Sequence, residues 1–175
     1  MNLPLRLLLP ILCLVSMSAM AQANTGQIEI FSGYNAYDKG MDSSYPFGLR
    51  VGSELQPGLQ AEVGYMYMGK SVNSSAAGRY RYETATFMLG ARGAWQYDEE
   101  VPIRVIGRVG LGIYENSLRA DWFSGERSSS GEGLYVGVGV EVLLNASSTF
   151  FVEWQRHQVH SIHPVQVLMG FGRRF

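Results

Sequence analysis

From residue 27 onward, apolar and polar positions alternate with a period of two, and no stretch sustains a 3.6-residue repeat. Gln27 to Ala36 sets Ile28, Ile30, Ser32 and Tyr34 against Glu29, Phe31, Gly33 and Asn35. In Pro46 to Gln56, Phe47, Leu49, Val51 and Leu55 alternate with Gly48, Arg50, Gly52 and Glu54, and Pro57-Gly58 supplies a tight reversal. Leu59 to Gly69 continues with Leu59, Ala61, Val63, Tyr65 and Tyr67 against Gln60, Glu62, Gly64, Met66 and Met68. A fourth strand, from about Tyr80 to Gln96, carries Ala85, Phe87, Leu89, Ala91 and Trp95 on one side and Thr84, Thr86, Met88, Gly90 and Arg92 on the other. Its upper end, Tyr80 to Glu83, reverses polarity phase, which a bulge near Glu83 or projection beyond a bilayer explains equally well.

The fifth strand sets Ile103, Val105, Val109, Leu111 and Ile113 against Arg104, Ile106, Arg108, Gly110, Gly112 and Tyr114. In the sixth, Leu134, Val136, Val138, Val140, Val142 and Leu144 oppose Tyr135, Gly137, Gly139, Glu141 and Leu143. Phe150, Val152 and Trp154 then oppose Phe151, Glu153 and Gln155, and the last strand sets Val165, Val167, Met169, Phe171 and Phe175 against Gln166, Leu168, Gly170, Gly172 and Arg174. Connections near 37–45, 70–79 and 116–131 are long, those near 56–58, 97–101 and 145–148 short, and the one near 158–163 modest. Short turns confined to one end distinguish an outer-membrane barrel from a soluble sandwich. Because strands cross lipid only as a closed sheet, the expected fold class is all-β, an eight-stranded antiparallel up-and-down transmembrane β-barrel.

The charges share their face with glycine, whereas the aliphatic side chains have a face to themselves. A soluble barrel of lipocalin type has the reverse polarity. The expected interior therefore holds Glu29, Glu54, Glu62, Glu141 and Glu153 with Arg50, Arg92, Arg104, Arg108 and Arg174. Mutual pairing is the economical arrangement, and removing one buried member such as Arg104 or Glu141 is expected to cost about 3–5 kcal/mol. A barrel of this strand number has an interior that side chains fill. Inward glycines such as Gly64 and Gly137 are expected to leave room for the long arginine and glutamate side chains. Trp95, Tyr97 and Phe175 are placed at one rim, and Phe47, Tyr65 and Tyr67 toward the other, as two aromatic belts.

Composition narrows the setting. The 175 residues suit one domain, and 14 basic against 15 acidic side chains give no field to seek nucleic acid. Residues 1–21 carry one charge, Arg6, then an apolar run interrupted by Pro10, then Ala19-Met20-Ala21, which reads as a cleaved signal peptide. Cleavage is expected after Ala21, with Ala23 as a second site, leaving residues 22–175 as the barrel domain. Cys13 departs with the leader, so disulfides, thiolate chemistry and cysteine metal sites are not expected in the mature chain.

With these features on the page, the chain resembles the small outer-membrane β-barrel proteins of Gram-negative bacteria, the group that contains the membrane domain of outer membrane protein A and outer membrane protein X. The most specific element is the ending Val165-x-Val167-x-Met169-x-Phe171-x-x-x-Phe175, which resembles the group's C-terminal assembly signal. Arg173 departs from it, standing where an aromatic or apolar residue is usual. The resemblance implies residence in the outer membrane with both termini in the periplasm. It implies contact with outer-membrane lipids and lipopolysaccharide, and recognition of the last strand, at Val167, Met169, Phe171 and Phe175, by the barrel assembly machinery.

His157, His160 and His163 are the strongest candidates for chemistry. On an extended strand His160 points away from the other two, so a solvated loop is expected, with no metal or cofactor. Ser161 and Glu153 invite comparison with the outer-membrane lipid A deacylases, barrels that use a His-x-Ser pair with a glutamate. Here His160 and Ser161 are adjacent, so that spacing is absent. Asp98, Glu99 and Glu100 read as a polar turn. Arg79, Arg81, Arg119 and Arg127 suit either lipopolysaccharide phosphates or ordinary surface charge. Trp122 and Phe123 suit either contact with a host molecule, protein or lipid, or packing onto the barrel mouth. The expected role is noncatalytic, in envelope integrity or surface interaction and adhesion. Asp42, Trp122, Phe123 and Arg127 are the loop contact candidates. A lipid A-modifying enzyme and a narrow solute channel are the alternatives.

Overall fold

The structure, a computed structural model, describes residues 26–37, 42–75, 78–98, 100–120, 126–159 and 163–175. Its strands are β1 (Gly26–Ala36), β2 (Phe47–Gln56), β3 (Leu59–Ser75), β4 (Gly78–Trp95), β5 (Ile103–Ala120), β6 (Glu126–Leu143), β7 (Ser148–His157) and β8 (Val165–Arg174). Each pairs antiparallel with the next, and β1 pairs with β8 to close an up-and-down barrel of eight strands. Closure gives both edges of each strand a partner through the barrel wall, the condition that a lipid surround imposes.

Local chemistry forms the short-turn end. Pro57-Gly58 reverses the chain with Gly58 at φ 80°, the left-handed conformation that a Pro-Gly turn favours. Asn145 Oδ1 accepts the backbone N–H groups of Ser147 and Ser148 at 2.9 and 2.8 Å, closing the β6–β7 turn. Both chain ends meet at this same rim, where Gly26 N donates to Phe175 O at 2.8 Å.

The predicted faces recur in space. Ile30, Leu49, Leu89, Val109, Leu111, Val138 and Val152 are exposed on the outer wall, whereas Glu29, Arg50, Met88, Arg108, Glu141 and Glu153 are buried inside. Ring contacts fall near the rims: Trp95 with Tyr97 at 5.9 Å, Tyr34 with Tyr45 at 6.2 Å and Phe47 with Tyr67 at 5.4 Å.

Two expectations are corrected. Most of the stretches 70–79 and 116–131 is not loop but strand: β3 pairs with β4 as far as Ser75 and Gly78, and β5 with β6 as far as Arg119 and Glu126. These extensions lack the apolar alternation by which the other strand segments are legible. The interior is also not purely ionic, since Phe31, Met66, Met68, Met88, Ile106, Tyr114, Tyr135, Phe151 and Leu168 form a buried cluster within it. Its aromatic rings, rather than charged side chains alone, occupy the space over the inward glycines. A Cβ at Gly90 or Gly110 would meet Tyr135, and one at Gly48 would meet Phe31, while Gly64 and Gly137 make room for Arg50 and Glu153.

The phase change at Tyr80–Glu83 has a structural counterpart on the neighbouring strand. Tyr67 pairs with Ala85 and Lys70 with Glu83, so Met68 and Gly69 share one partner position as a bulge in β3. Gly69 has φ 86°, and a Cβ there would meet Ser44, whose hydroxyl donates to Met68 O at 2.6 Å.

Candidate functional site

Period-two alternation brings a charged side chain from every strand into one connected network inside the barrel. Among the described residues these are Glu29 of β1, Arg50 of β2, Glu62 of β3, Arg92 of β4, Arg108 of β5, Glu141 of β6, Glu153 of β7 and Arg174 of β8. Four carboxylates thus meet four guanidiniums, and the network is formally neutral.

Arg108 is its hub. Nη2 donates to both oxygens of Glu29 at 2.7 and 2.6 Å, Nε donates to Glu62 at 3.0 Å, and Nη1 donates to Glu153. One planar fork therefore joins β1, β3 and β7, which a lysine could not reproduce. Arg50 Nη1 lies 3.5 Å from Glu29 and 3.3 Å from Glu153, and its guanidinium carbon sits 4.2 Å from the Phe31 ring centroid. Arg92 Nη2 donates to Glu141 at 2.6 Å, and Arg174 Nη2 approaches the other Glu141 oxygen at 3.4 Å.

Neutral donors extend the network. Gln27 Nε2 donates to Glu29 at 3.0 Å, Gln155 Nε2 to Glu153 at 2.7 Å and Tyr135 Oη to Glu62 at 3.2 Å. His157 continues it upward, with Nε2 3.1 Å from Gln155 Oε1 and Nδ1 3.3 Å from Tyr114 Oη, its ring stacked on Tyr135 at 5.5 Å.

With this geometry the comparisons can be read. The family model for the outer membrane protein beta-barrel domain matches residues 7–175. The chain belongs to this family. A search of curated proteins returns no match. Among solved structures it is similar to Ail, the attachment invasion locus protein of Yersinia pestis, at 12% identity, TM-score 0.61, with 88% of this chain and 100% of that one covered. It is also similar to the N-terminal β-barrel domain of Pseudomonas aeruginosa OprF, at 13% identity, TM-score 0.65, 87% and 98% covered. Neisserial surface protein A is a third, at 14% identity, TM-score 0.62, 86% and 96% covered. At these identities the likeness speaks for the fold: this outer-membrane barrel is a small eight-stranded transmembrane one.

The structure separates the ten residues expected in the lumen. Eight join the barrel's network, but Glu54 and Arg104 do not. Both are inward-facing yet lie at the turn end of their strands and are only half-buried. Glu54 Oε1 accepts Gly58 N–H at 3.1 Å, and Arg104 Nε donates to Gln96 Oε1 at 2.8 Å, so neither is a buried pair member.

Other candidates are placed less expectedly. His157 is buried inside rather than solvated, while His160 and Ser161 lie outside the described residues and His163 is half-buried. Glu153 points into the network, bonded to Arg108 and Arg50, away from the outer wall where a lipid-directed acid would stand. Among the described residues no three metal-capable side chains converge. Asp42 is exposed and its backbone is laced to β3: its N–H lies 3.3 Å from Val72 O, and its carbonyl accepts Ser71 Oγ–H at 2.6 Å. Arg127 is exposed on the β6 extension opposite Leu118, in strand and not loop, while Trp122 and Phe123 lie outside the described residues. Val167, Met169, Phe171 and Phe175 are exposed on the outer wall, and Arg173 shares that face.

The polar group of Tyr114, Tyr135, Gln155 and His157 is the part that sequence reasoning missed. Its signal was present: Phe151, Glu153 and Gln155 are inward, and the same alternation carried two residues further places His157 inside.

Proposed function

We propose that this outer-membrane barrel is a noncatalytic scaffold whose ionic interior is closed to ions and solutes, and whose surface-projecting strands carry recognition. The observation that carries the reading is the neutral network with one charge from each strand, centred on Arg108. An open pore lined by charge leaves those charges hydrated, whereas here the acids and bases bind one another across the axis. The short-turn rim with both chain ends is assigned to the periplasm, and the extensions of β3 to β6 to the cell surface, the usual disposition of such barrels.

The contact surface comprises Arg127 on the β6 extension and Asp42 of the β1–β2 connection, laced to the β3 extension, with Trp122 and Phe123 falling in sequence between β5 and β6. Arg81 of β4 stands directly across from Arg119 of β5, and Arg79 follows two positions along, a cationic stripe suited to lipopolysaccharide phosphates. The partner class is an envelope or host-surface molecule, and the barrel assembly machinery is the partner of β8 during insertion.

Planar-bilayer recording of the purified chain tests the closed interior. No discrete conductance steps are expected, and reproducible steps would overturn the reading. For the surface role, pull-down from envelope and host-surface fractions is expected to lose its partner when Arg81 and Arg127 are changed together to glutamine. A partner retained undiminished by that variant counts against these extensions.

A further inference from the structure

Beneath the network, at the rim of short turns, lies a cavity of about 630 Å3 that the closed interior leaves unexplained. Its size is that of small-molecule sites generally. Three guanidiniums border it, those of Arg92, Arg104 and Arg174, and Glu54 supplies the acidic side chain among the residues that line it.

The hydrogen bonds of these groups are incomplete in one direction. Arg92 is 1% exposed: its Nη groups donate to Gln60 at 3.4 Å and Glu141 at 2.6 Å, and its Nε, without a hydrogen bond, lies 3.7 Å from Glu29 on the network side. Arg174 Nε is likewise buried without a partner. Arg104 is paired in register with Glu141, but its side chain turns instead to Gln96, and no ion pair forms with a described carboxylate. Glu141 is already shared between Arg92 and Arg174, Glu54 accepts from Gly58, and Phe175 O accepts from Gly26. Among the side chains that line the cavity, three guanidiniums thus stand with one carboxylate, and that excess of positive charge favours an anion.

We infer that this mouth binds a small oxyanion, a carboxylate or phosphate group held between Arg104 and Arg174 with Arg92 as the floor. Planar forks on separate strands match the oxygen edges of such groups. Binding requires only this geometry, while the compartment from which the anion comes rests on the orientation proposed above. A soluble periplasmic anion and the phosphate of an inner-leaflet lipid present the same chemistry.

The test is titration of inorganic phosphate into the full chain in neutral maltoside micelles at low ionic strength, read by heat and by the Nε–H resonances of Arg104 and Arg174. Saturable binding is expected, with those resonances shifting. Arg104→Gln is expected to weaken it about tenfold or more, since one charge-assisted contact is lost. Lys70→Gln, at an exposed cation paired with Glu83 on the β3 extension, is expected to leave it unchanged. Absence of saturable binding, or equal affinity in Arg104→Gln with its fold intact by heat-modified gel migration, would overturn the inference. Phosphate affinity that falls well below the micelle value in phosphatidylcholine nanodiscs assigns the site to lipid phosphate. Affinity equal to the micelle value assigns it to a soluble anion.

Discussion

Glycine at two kinds of position separates packing from permissiveness. Gly93 and Gly107 face the outer wall, where a Cβ at Gly93 meets nothing within 4 Å and one at Gly107 meets only Gly137 O at 4.0 Å. Gly139 faces inward, where a Cβ would collide with Val152 O and Glu153. Gly93→Ala is therefore expected to leave stability unchanged or raise it by less than about 1 kcal/mol. Gly139→Ala is expected to lower it by about 1–3 kcal/mol. Urea unfolding in micelles, followed by tryptophan fluorescence, measures both. The same assay separates Glu141 from Arg104, which the alternation alone makes equivalent. Glu141 is fully buried and bonded to Arg92, Arg174 and Gln27, so Glu141→Leu strands uncompensated cations and is expected to cost about 3–5 kcal/mol. Half-buried Arg104 donates to one amide, and Arg104→Leu is expected to cost less than about 1 kcal/mol. Equal losses for the two would contradict the placement of Arg104 at the mouth.

At the scale of elements, β3 to β6 run to 17 or 18 residues, against 10 or 11 for the other strands. Beyond Leu134, β6 pairs with β5 on one side, and its register with β7 ends at Tyr135 opposite His157. Native-state hydrogen exchange is expected to find amides of 126–132 protected in alternation, and amides of 135–142 protected throughout. Uniform protection of 126–132 would mean that another segment covers that edge. The last strand makes a separate prediction. Phe175 is exposed at the rim while its backbone closes the barrel on Gly26. Deleting Phe175 is expected to reduce assembly by the cellular machinery while leaving folding into micelles largely intact, as judged by heat-modified gel migration in each setting. Face assignment in these elements was legible because lipid tolerates charge so poorly that outward positions are nearly all apolar through the spanning region. Strand length was not, because Lys70, Ser71, Asn73, Ser129 and Arg119 read as loop whether or not their backbones are paired. His157 was misjudged for a related reason: neighbouring His160, Ser161 and His163 gave it the look of a loop, although its phase was that of the lumen.

For the whole molecule, neutrality of the interior and absence of steady conductance are one expectation, since each carboxylate in the network has a guanidinium from another strand as its partner. Interior bonds span 79 residues between Arg108 and Glu29 and 103 between Arg50 and Glu153. The sequence by itself determined which face the residues of the spanning alternation take, that the sheet must close, and that acids and bases inside are equal in number. All three follow from a period of two and from the cost of charge in hydrocarbon, both of which act locally along each strand. The tertiary structure alone decided which charges meet, that Arg108 became the hub, and that Glu54 and Arg104 were left at the mouth. Height along the barrel axis depends on register summed across every strand pair, and the β3 bulge and β2 irregularity alter it by amounts that the alternation does not give.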